Sequence, residues 1–190
     1  MLILRPATEA DLPALREIER AAGAPFAEIG MRTVADDEPP SLETLREFQR
    51  AGRAWVYADA ADEPVAYLVA GLVDGNAHID QVSVLPAYAG RRLGKRLIDH
   101  TIRWARAEGL SAITLTTFVE VPWNGPYYER LGFRYVLPTD ETPELLAVRA
   151  AESAHGLDHW PRAAMRADLA GWEFEPDGTE PDAQVSTPQP

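Results

Sequence analysis

Cysteine is absent from the 190 residues, which removes a thiol nucleophile, a disulfide scaffold and any cysteine-ligated metal site from consideration. Histidine is scarce: His78, His100, His155 and His159 are the four, and only the weak His155/His159 pair approaches ligand spacing. No Gly-x-x-x-x-Gly-Lys-Ser/Thr run occurs, so a P-loop nucleotide binder is disfavoured. Apolar runs of membrane-spanning length, roughly 20 residues, are missing. Met1-Leu2-Ile3-Leu4-Arg5 has the character of a strand rather than a leader, and a cytoplasmic location is the expectation. Positive charge is in deficit, with 18 Lys and Arg against 30 Asp and Glu, a net charge of −12. That balance disfavours nucleic acid and anionic membranes as partners and favours a cationic small molecule. The hydrophobic share of 46% and charged share of 25% fit one globular domain with a substantial core.

Against this acidic background one segment reverses sign. Gly90-Arg91-Arg92-Leu93-Gly94-Lys95-Arg96 holds four cations and no acid. The apolar stripe Leu93, Leu97, Ile98, Thr101, Ile102 and Ala105 places it at the start of a helix. Cations there oppose the helix dipole by roughly 0.3–1 kcal/mol each. Crowding them at that end implies an anion held against them. The first-turn N–H groups and two glycines suit a phosphate. A solvated basic face is the plain alternative.

Around this helix the chain reads as strand, two helices, then three antiparallel strands. Thr8-Glu9-Ala10-Asp11 predicts a capping box for a helix carrying Leu12, Leu15, Ile18 and Ala22, and Ser41 caps a second with Leu42, Leu45 and Phe48. Between them, residues 23–40 form a loop with the acidic run Asp36-Asp37-Glu38. Strands are expected over 54–59, 65–73 and 78–84, with Asp74-Gly75-Asn76 as a hairpin turn. The basic helix covers 90–108, and a β-branched strand follows at 112–118. Asn124-Gly125-Pro126 starts a short helix that Gly132 stops, and 133–136 is a strand. Thr142-Pro143-Glu144 opens a further helix, and 162–168 reads as a final strand. From 171 onward there are five acids, four prolines and no Lys or Arg, which predicts a disordered acidic tail beyond a domain spanning 1–170.

Two motifs in order carry the chemistry. Val82-Ser83-Val84-Leu85-Pro86 runs into the Gly90 to Lys95 segment, and Tyr127-Tyr128-Glu129-Arg130-Leu131-Gly132-Phe133 follows one strand later. Together they resemble the GCN5-related N-acetyltransferase (GNAT) family. The first matches that family's acetyl-CoA pyrophosphate loop and the second its C-terminal cofactor motif. Two departures stand out: Ala89 replaces the usual Arg or Gln, and Arg92 stands where glycine is common. Backbone donation survives both unless Arg92 must adopt a positive φ.

The resemblance implies an α/β (α+β) fold with a mixed, mostly antiparallel central sheet. A V-shaped cofactor gap would split that sheet, with helices on both faces. Acetyl-CoA would be the cosubstrate, with no metal. It implies cofactor contacts from Val82, Ser83, Val84, Gly90, Arg91, Arg92, Leu93, Gly94, Lys95, Asn124, Tyr127 and Tyr128. The Val84 amide is the candidate for polarising the thioester carbonyl. Tyr128 matches the tyrosine that protonates the leaving thiolate, against a packing role. Asn124 either bonds the cofactor or caps its own helix.

The reaction so implied is direct attack of a primary amine on the thioester in a ternary complex. An alkylamine with a pKa of about 10 arrives protonated and needs a base. Asp80, Glu120 and His78 are the candidates, each against an ordinary structural or solvated role. Phe26, Glu28, Met31 and Asp36-Asp37-Glu38 fall where such folds build the acceptor pocket, and Trp123 either lines it or joins the core. Acetylation of a protein lysine or N-terminus, and a silent acyl-CoA-binding sensor, are the rival functions. A monomer or homodimer is expected.

Overall fold

The computed structural model describes residues 1–174. Seven strands form one sheet in the order β1-β2-β3-β4-β5-β7-β6. They are β1 (Ile3–Pro6), β2 (Ala54–Ala58), β3 (Pro64–Val73), β4 (Asn76–Val84), β5 (Ala112–Phe118), β6 (Arg134–Tyr135) and β7 (Arg162–Asp168). All neighbours are antiparallel except β4 and β5. This is the expected mixed α/β sheet.

Local signals set the first helices. Asp11 accepts from the Thr8 N–H at 2.6 Å and from its hydroxyl at 2.8 Å, closing the capping box. Helix α1 (Leu12–Gly23) follows. The expected loop at 23–40 instead contains two single-turn helices, α2 (Pro25–Glu28) and α3 (Arg32–Ala35). Both are four residues long, too short to leave a periodic signature in sequence. Ser41 Oγ accepts the Thr44 N–H at 3.1 Å and opens α4 (Leu42–Arg50).

Helices α1 and α4 cover one face of the sheet through Leu12, Leu15, Ile18 and Leu45, packed on Val56, Tyr67 and Val69. Helix α5 (Leu93–Ala107) covers the other through Leu93, Leu97, Ile98 and Ile102, against Leu68, Ile113 and Met165. Each such side chain contributes roughly 1.5–3 kcal/mol on burial. Helix α6 (Gly125–Leu131) lies on the α5 side, with Tyr128 and Leu131 packed on that core. Helix α7 (Pro143–Ala154) is inserted between β6 and β7 and carries Glu152 to the face opposite α5.

Packing continues past residue 170, the end of the domain expected from sequence. Trp172 is 7% exposed within the α5 core, and its indole N–H donates to Asp99 at 2.6 Å. Of the acidic tail, residues 175–190 lie outside the described residues. Among the described residues no helix is long and apolar enough to cross a membrane, and no group of three His, Asp or Glu is arranged to hold a metal ion.

Candidate functional site

The sheet splits at its centre. Strands β4 and β5 pair at only two positions, Ala77 with Ile113 and His78 with Thr114. Beyond them β4 stays with β3 as far as Ala66 opposite Val84, and β5 stays with β7 as far as Phe118 opposite Arg162. The strands therefore part into a V that opens toward Val84 and Phe118.

Backbone alternation decides which groups face this opening. The Leu85 N–H donates to the Val65 carbonyl at 2.9 Å, so Leu85 turns to β3. Successive residues alternate along a strand, so Val84 and Val82 direct N–H and C=O away from β3, into the gap. Ser83 does not. It is turned to β3 opposite Tyr67, and its hydroxyl accepts from Gln81 at 2.8 Å.

At the mouth of the V sits the start of α5. Leu93, Gly94 and Lys95 precede the first intrahelical bond, from Arg96 N–H to the Arg92 carbonyl at 3.1 Å, so their N–H groups point out of the helix end. Arg92 has φ 58°. A non-glycine residue thus holds the left-handed conformation that the family's glycine would adopt freely, at a cost of roughly 1–2 kcal/mol, while the Leu93, Gly94 and Lys95 N–H groups that follow it still point outward. A Cβ built on Gly94 would lie 3.4 Å from the Tyr127 hydroxyl and 4.0 Å from Val84 Cγ2. That glycine draws the end of β4, the start of α5 and helix α6 together.

The cationic side chains of this segment part ways. Lys95 is already paired within the fold and does not extend toward the mouth of the gap: its ammonium donates to the Asp99 carboxylate at 2.5 Å and to the Glu173 carbonyl at 2.8 Å, and lies 4.4 Å from the centre of the Trp172 ring. Only its backbone N–H belongs to the loop. The Arg91 guanidinium lies over the Tyr88 ring at 4.9 Å.

Helix α6 supplies the far wall. Gly125 admits the Phe118 and Val119 carbonyls and the Tyr135 hydroxyl so closely that a Cβ would stand 2.9 Å from the Val119 oxygen. Asn124 occupies the N-cap position without a side-chain capping bond, which sets the capping alternative aside. Tyr128 is half-buried, with Tyr127 at 5.3 Å and Phe133 at 5.7 Å between ring centres. Burial, with the Tyr127 hydroxyl, pushes its phenol above the ordinary value, and Arg162 pulls the other way.

The three candidate bases separate clearly. His78 is 2% exposed, bonds Thr114 Oγ1 through Nδ1 at 2.8 Å, and is lowered to about 4 by burial. It is a neutral structural imidazole. Glu120 is exposed on the bend after β5. Asp80 is the extra residue of a bulge in β4: Val69 pairs with Gln81 and Ala70 with Ile79, leaving Asp80 unopposed. Its carboxylate folds over Gly71, where a Cβ would meet Oδ2 at 2.8 Å. The residue is exposed as a whole, yet crowding of the carboxyl by its neighbours raises it to about 6, opposed by the Gly71 N–H and Arg53.

On the acceptor side, Met31, Phe118 and Val121 form a small core with Phe26, Val34, Leu157 and Trp160. Phe26 stands 5.7 Å from Phe118 and 5.5 Å from Trp123, which is 40% exposed at the rim. A cavity of about 390 Å³ opens beside it, lined by Gly30, Arg32, Thr33, Gly156, His159 and Trp160. The acidic run is not presented to it as a block: Glu38 pairs with Arg16 and Arg20, each at 3.1 Å. Sequence reasoning overlooked Glu152 and Arg162. The i, i+4, i+7 spacing of Leu145, Arg149 and Glu152 was the available signal, because buried Leu145 marks the inward face of α7.

Comparisons with known proteins agree with this geometry. Residues 13–133 match the family model described as the acetyltransferase (GNAT) family. A GNAT-family acetyltransferase from Staphylococcus aureus Mu50 shares the fold with a TM-score of 0.67 at 15% identity, over 89% of this chain and 99% of that one. The PaiA N-acetyltransferase from Thermoplasma acidophilum, solved in complex with coenzyme A, gives 0.64 at 14% identity, over 88% and 99%. An isoprenyl transferase of Listeria monocytogenes serotype 4b (strain F2365) is 30% identical over 113 residues, 57% of this chain and 44% of its own. The chain spans under half the length of the curated relatives it matches, and that partial likeness carries no activity to it.

Proposed function

The chain belongs to the GNAT acetyltransferase family, and from that premise we propose that it moves an acetyl group from acetyl-CoA to the primary amine of a small molecule. The observation that carries the proposal is the parted β4/β5 pair, whose Val82 and Val84 amides face a gap ending at the bare N-terminus of α5. An extended pantetheine arm suits the first as an added strand, and a diphosphate suits the second. The thioester supplies the activated acetyl group, and every other requirement falls on side chains and amides of this chain.

Asp80 takes the proton of the incoming ammonium, directly or through one water. Its carboxyl at about 6 leaves it ionised at neutral pH while keeping it a stronger base than an ordinary aspartate. The freed amine attacks the acetyl carbon; as the carbon–sulfur bond breaks and the amide forms, the nitrogen releases its second proton to water, and the departing thiolate takes one up to leave as CoA thiol. The Val84 N–H donates to the oxyanion that develops on the carbonyl. Tyr128 donates a hydrogen bond to the departing thiolate. Because its phenol is raised and a thiol titrates near 8.5, that bond stabilises the thiolate more than it transfers a proton.

Two rival functions share this geometry: acetylation of a protein lysine or N-terminus, and a silent acyl-CoA sensor. Release of free CoA thiol in the presence of a panel of small amines and of amine-terminated peptides tests the proposal. Turnover on small amines is expected. Turnover confined to peptides, or tight CoA binding with no turnover on anything, refutes it.

A further inference from the structure

The cavity on the acceptor side is lined with a charge opposite to that of the chain. The protein carries a net charge of −12, yet no acidic side chain lines this space: Arg32, Thr33, His159 and Trp160 do, with Gly30 and Gly156. Both walls are fastened to the end of β5. On one side Met31, between Gly30 and Arg32, is buried against Phe118 and Val121. On the other the Val119 N–H donates to the Pro161 carbonyl at 2.9 Å, and the Trp160 ring stands edge-on to Phe118 with 6.5 Å between centres. Phe118 is the last residue of β5, on the open side of the V. The cavity is thereby held beside the opening of the gap.

Its lining offers hydrogen-bond donors. The Arg32 guanidinium is a planar fork of N–H groups that matches a carboxylate or a phosphate. Arg16 and Arg20 are paired with Glu38, and Arg149 with Glu141, whereas the Arg32 side chain makes no hydrogen bond or ion pair with another described residue. The Thr33 hydroxyl and the His159 imidazole add donors. The Trp160 indole, 4.9 Å from the His159 ring, adds a flat apolar surface. A Cβ at Gly30 or Gly156 would meet no atom within 4 Å, so neither turn closes the space. Its volume of about 390 Å³ suits a small organic molecule.

We infer that this cavity holds the far end of the acceptor and that this end is anionic: the substrate class is a small molecule with a primary amine at one end, a short apolar body, and a carboxylate or phosphate at the other. The inference rests on the acetyl-transfer reading above. It replaces the purely cationic acceptor suggested by overall acidity, because the ammonium end faces Asp80 while the anionic end reaches Arg32.

The test compares kcat/KM for matched amines: para-(aminomethyl)benzoate, para-(aminomethyl)phenyl phosphate, the neutral para-(aminomethyl)benzamide and the dicationic para-(aminomethyl)benzylamine. At least one anion is expected to exceed the amide by about tenfold or more, the worth of a charge-assisted pair, with the diamine lowest. The anion that leads identifies the headgroup. Arg32 is exposed, so its replacement leaves the core intact. Arg32→Gln should bring the leading anion to within about threefold of the amide, through a raised KM, with CoA affinity unchanged. General loss of structure does not move a ratio between two substrates of one variant. Turnover of small amines without a preference for either anion, or a preference that survives Arg32→Gln, overturns the inference and leaves acetyl transfer standing. Absence of wild-type turnover on any amine overturns the reading on which it rests.

Discussion

Arg92 gives a prediction whose sign is opposite to the ordinary rule. At most positions glycine is less favourable than alanine by about 0.5–1 kcal/mol, because it surrenders more backbone entropy on folding. Arg92 has φ 58° immediately before α5, and a Cβ in that conformation costs roughly 1–2 kcal/mol. Arg92→Gly and Arg92→Ala both delete the guanidinium and its contacts, so their difference isolates the backbone. Subtracting the entropy penalty from the steric gain leaves glycine ahead by about 0.5–1 kcal/mol. For a chain of this size each kcal/mol moves Tm by roughly 2–4 °C, so Arg92→Gly should melt about 1–4 °C above Arg92→Ala. Differential scanning calorimetry and urea unfolding check it together, and equal m-values show that stability has changed without a change in the surface exposed on unfolding. CoA should also bind the glycine variant at least as tightly as the alanine variant, since the loop amides keep their directions. An alanine variant as stable as the glycine one refutes the strained-backbone account of this loop.

Other substitutions probe other parts of the site. Gly71→Ala places a methyl 2.8 Å from the present position of Asp80 Oδ2, so the carboxylate must move; kcat should fall by about tenfold or more with CoA affinity unchanged, measured by steady-state kinetics and calorimetry. Asp80→Asn should abolish the limb near pH 6 and lower kcat by about 10²-fold or more. The same variant should be more stable than wild type above pH 6 and no different below about pH 4: an acid raised on folding binds its proton more tightly in the native state, so its presence lowers stability as pH rises through that window. Tyr128→Phe should reduce turnover by about tenfold or more without changing CoA affinity; an unaltered rate returns Tyr128 to packing. Trp172→Ala should destabilise by about 3–5 kcal/mol in thermal unfolding, because it empties a core position and removes one of the donors to Asp99.

Much of the fold was legible because its signals are local. The Thr8–Asp11 box, the Ser41 cap, the Asn124-Gly125-Pro126 start and the glycine stop at Gly132 each act within a few residues. The two motifs that carry the family resemblance were legible for the same reason. What escaped depends on partners distant in sequence. Lys95 looked like a phosphate ligand until residues 78 positions away drew its ammonium to the Glu173 carbonyl. Ser83 looked equivalent to its neighbours, but the phase of hydrogen bonding to β3 turns it away from the gap. Alternation already placed His78 and Asp80 on a shared face, and a bulge, which no local residue preference announces, presents the carboxylate over Gly71. Glu152 stands on the inward stripe of α7 that spacing alone could mark, but its contacts with Thr116 and Arg162 exist only because that helix lies across β5 and β7.

The most direct test of the central claim is calorimetric titration of acetyl-CoA into the folded wild type and into Gly94→Asp. An aspartate in the first turn suits the helix dipole and its Cβ meets the Tyr127 hydroxyl no closer than 3.4 Å, while it sets a negative charge where the diphosphate should lie; circular dichroism checks that the variant is folded. Saturable heat at one site per chain, weakened at least tenfold in the variant, is the predicted result. Folded wild-type protein that gives no heat, or a variant that binds as well as wild type, would contradict it.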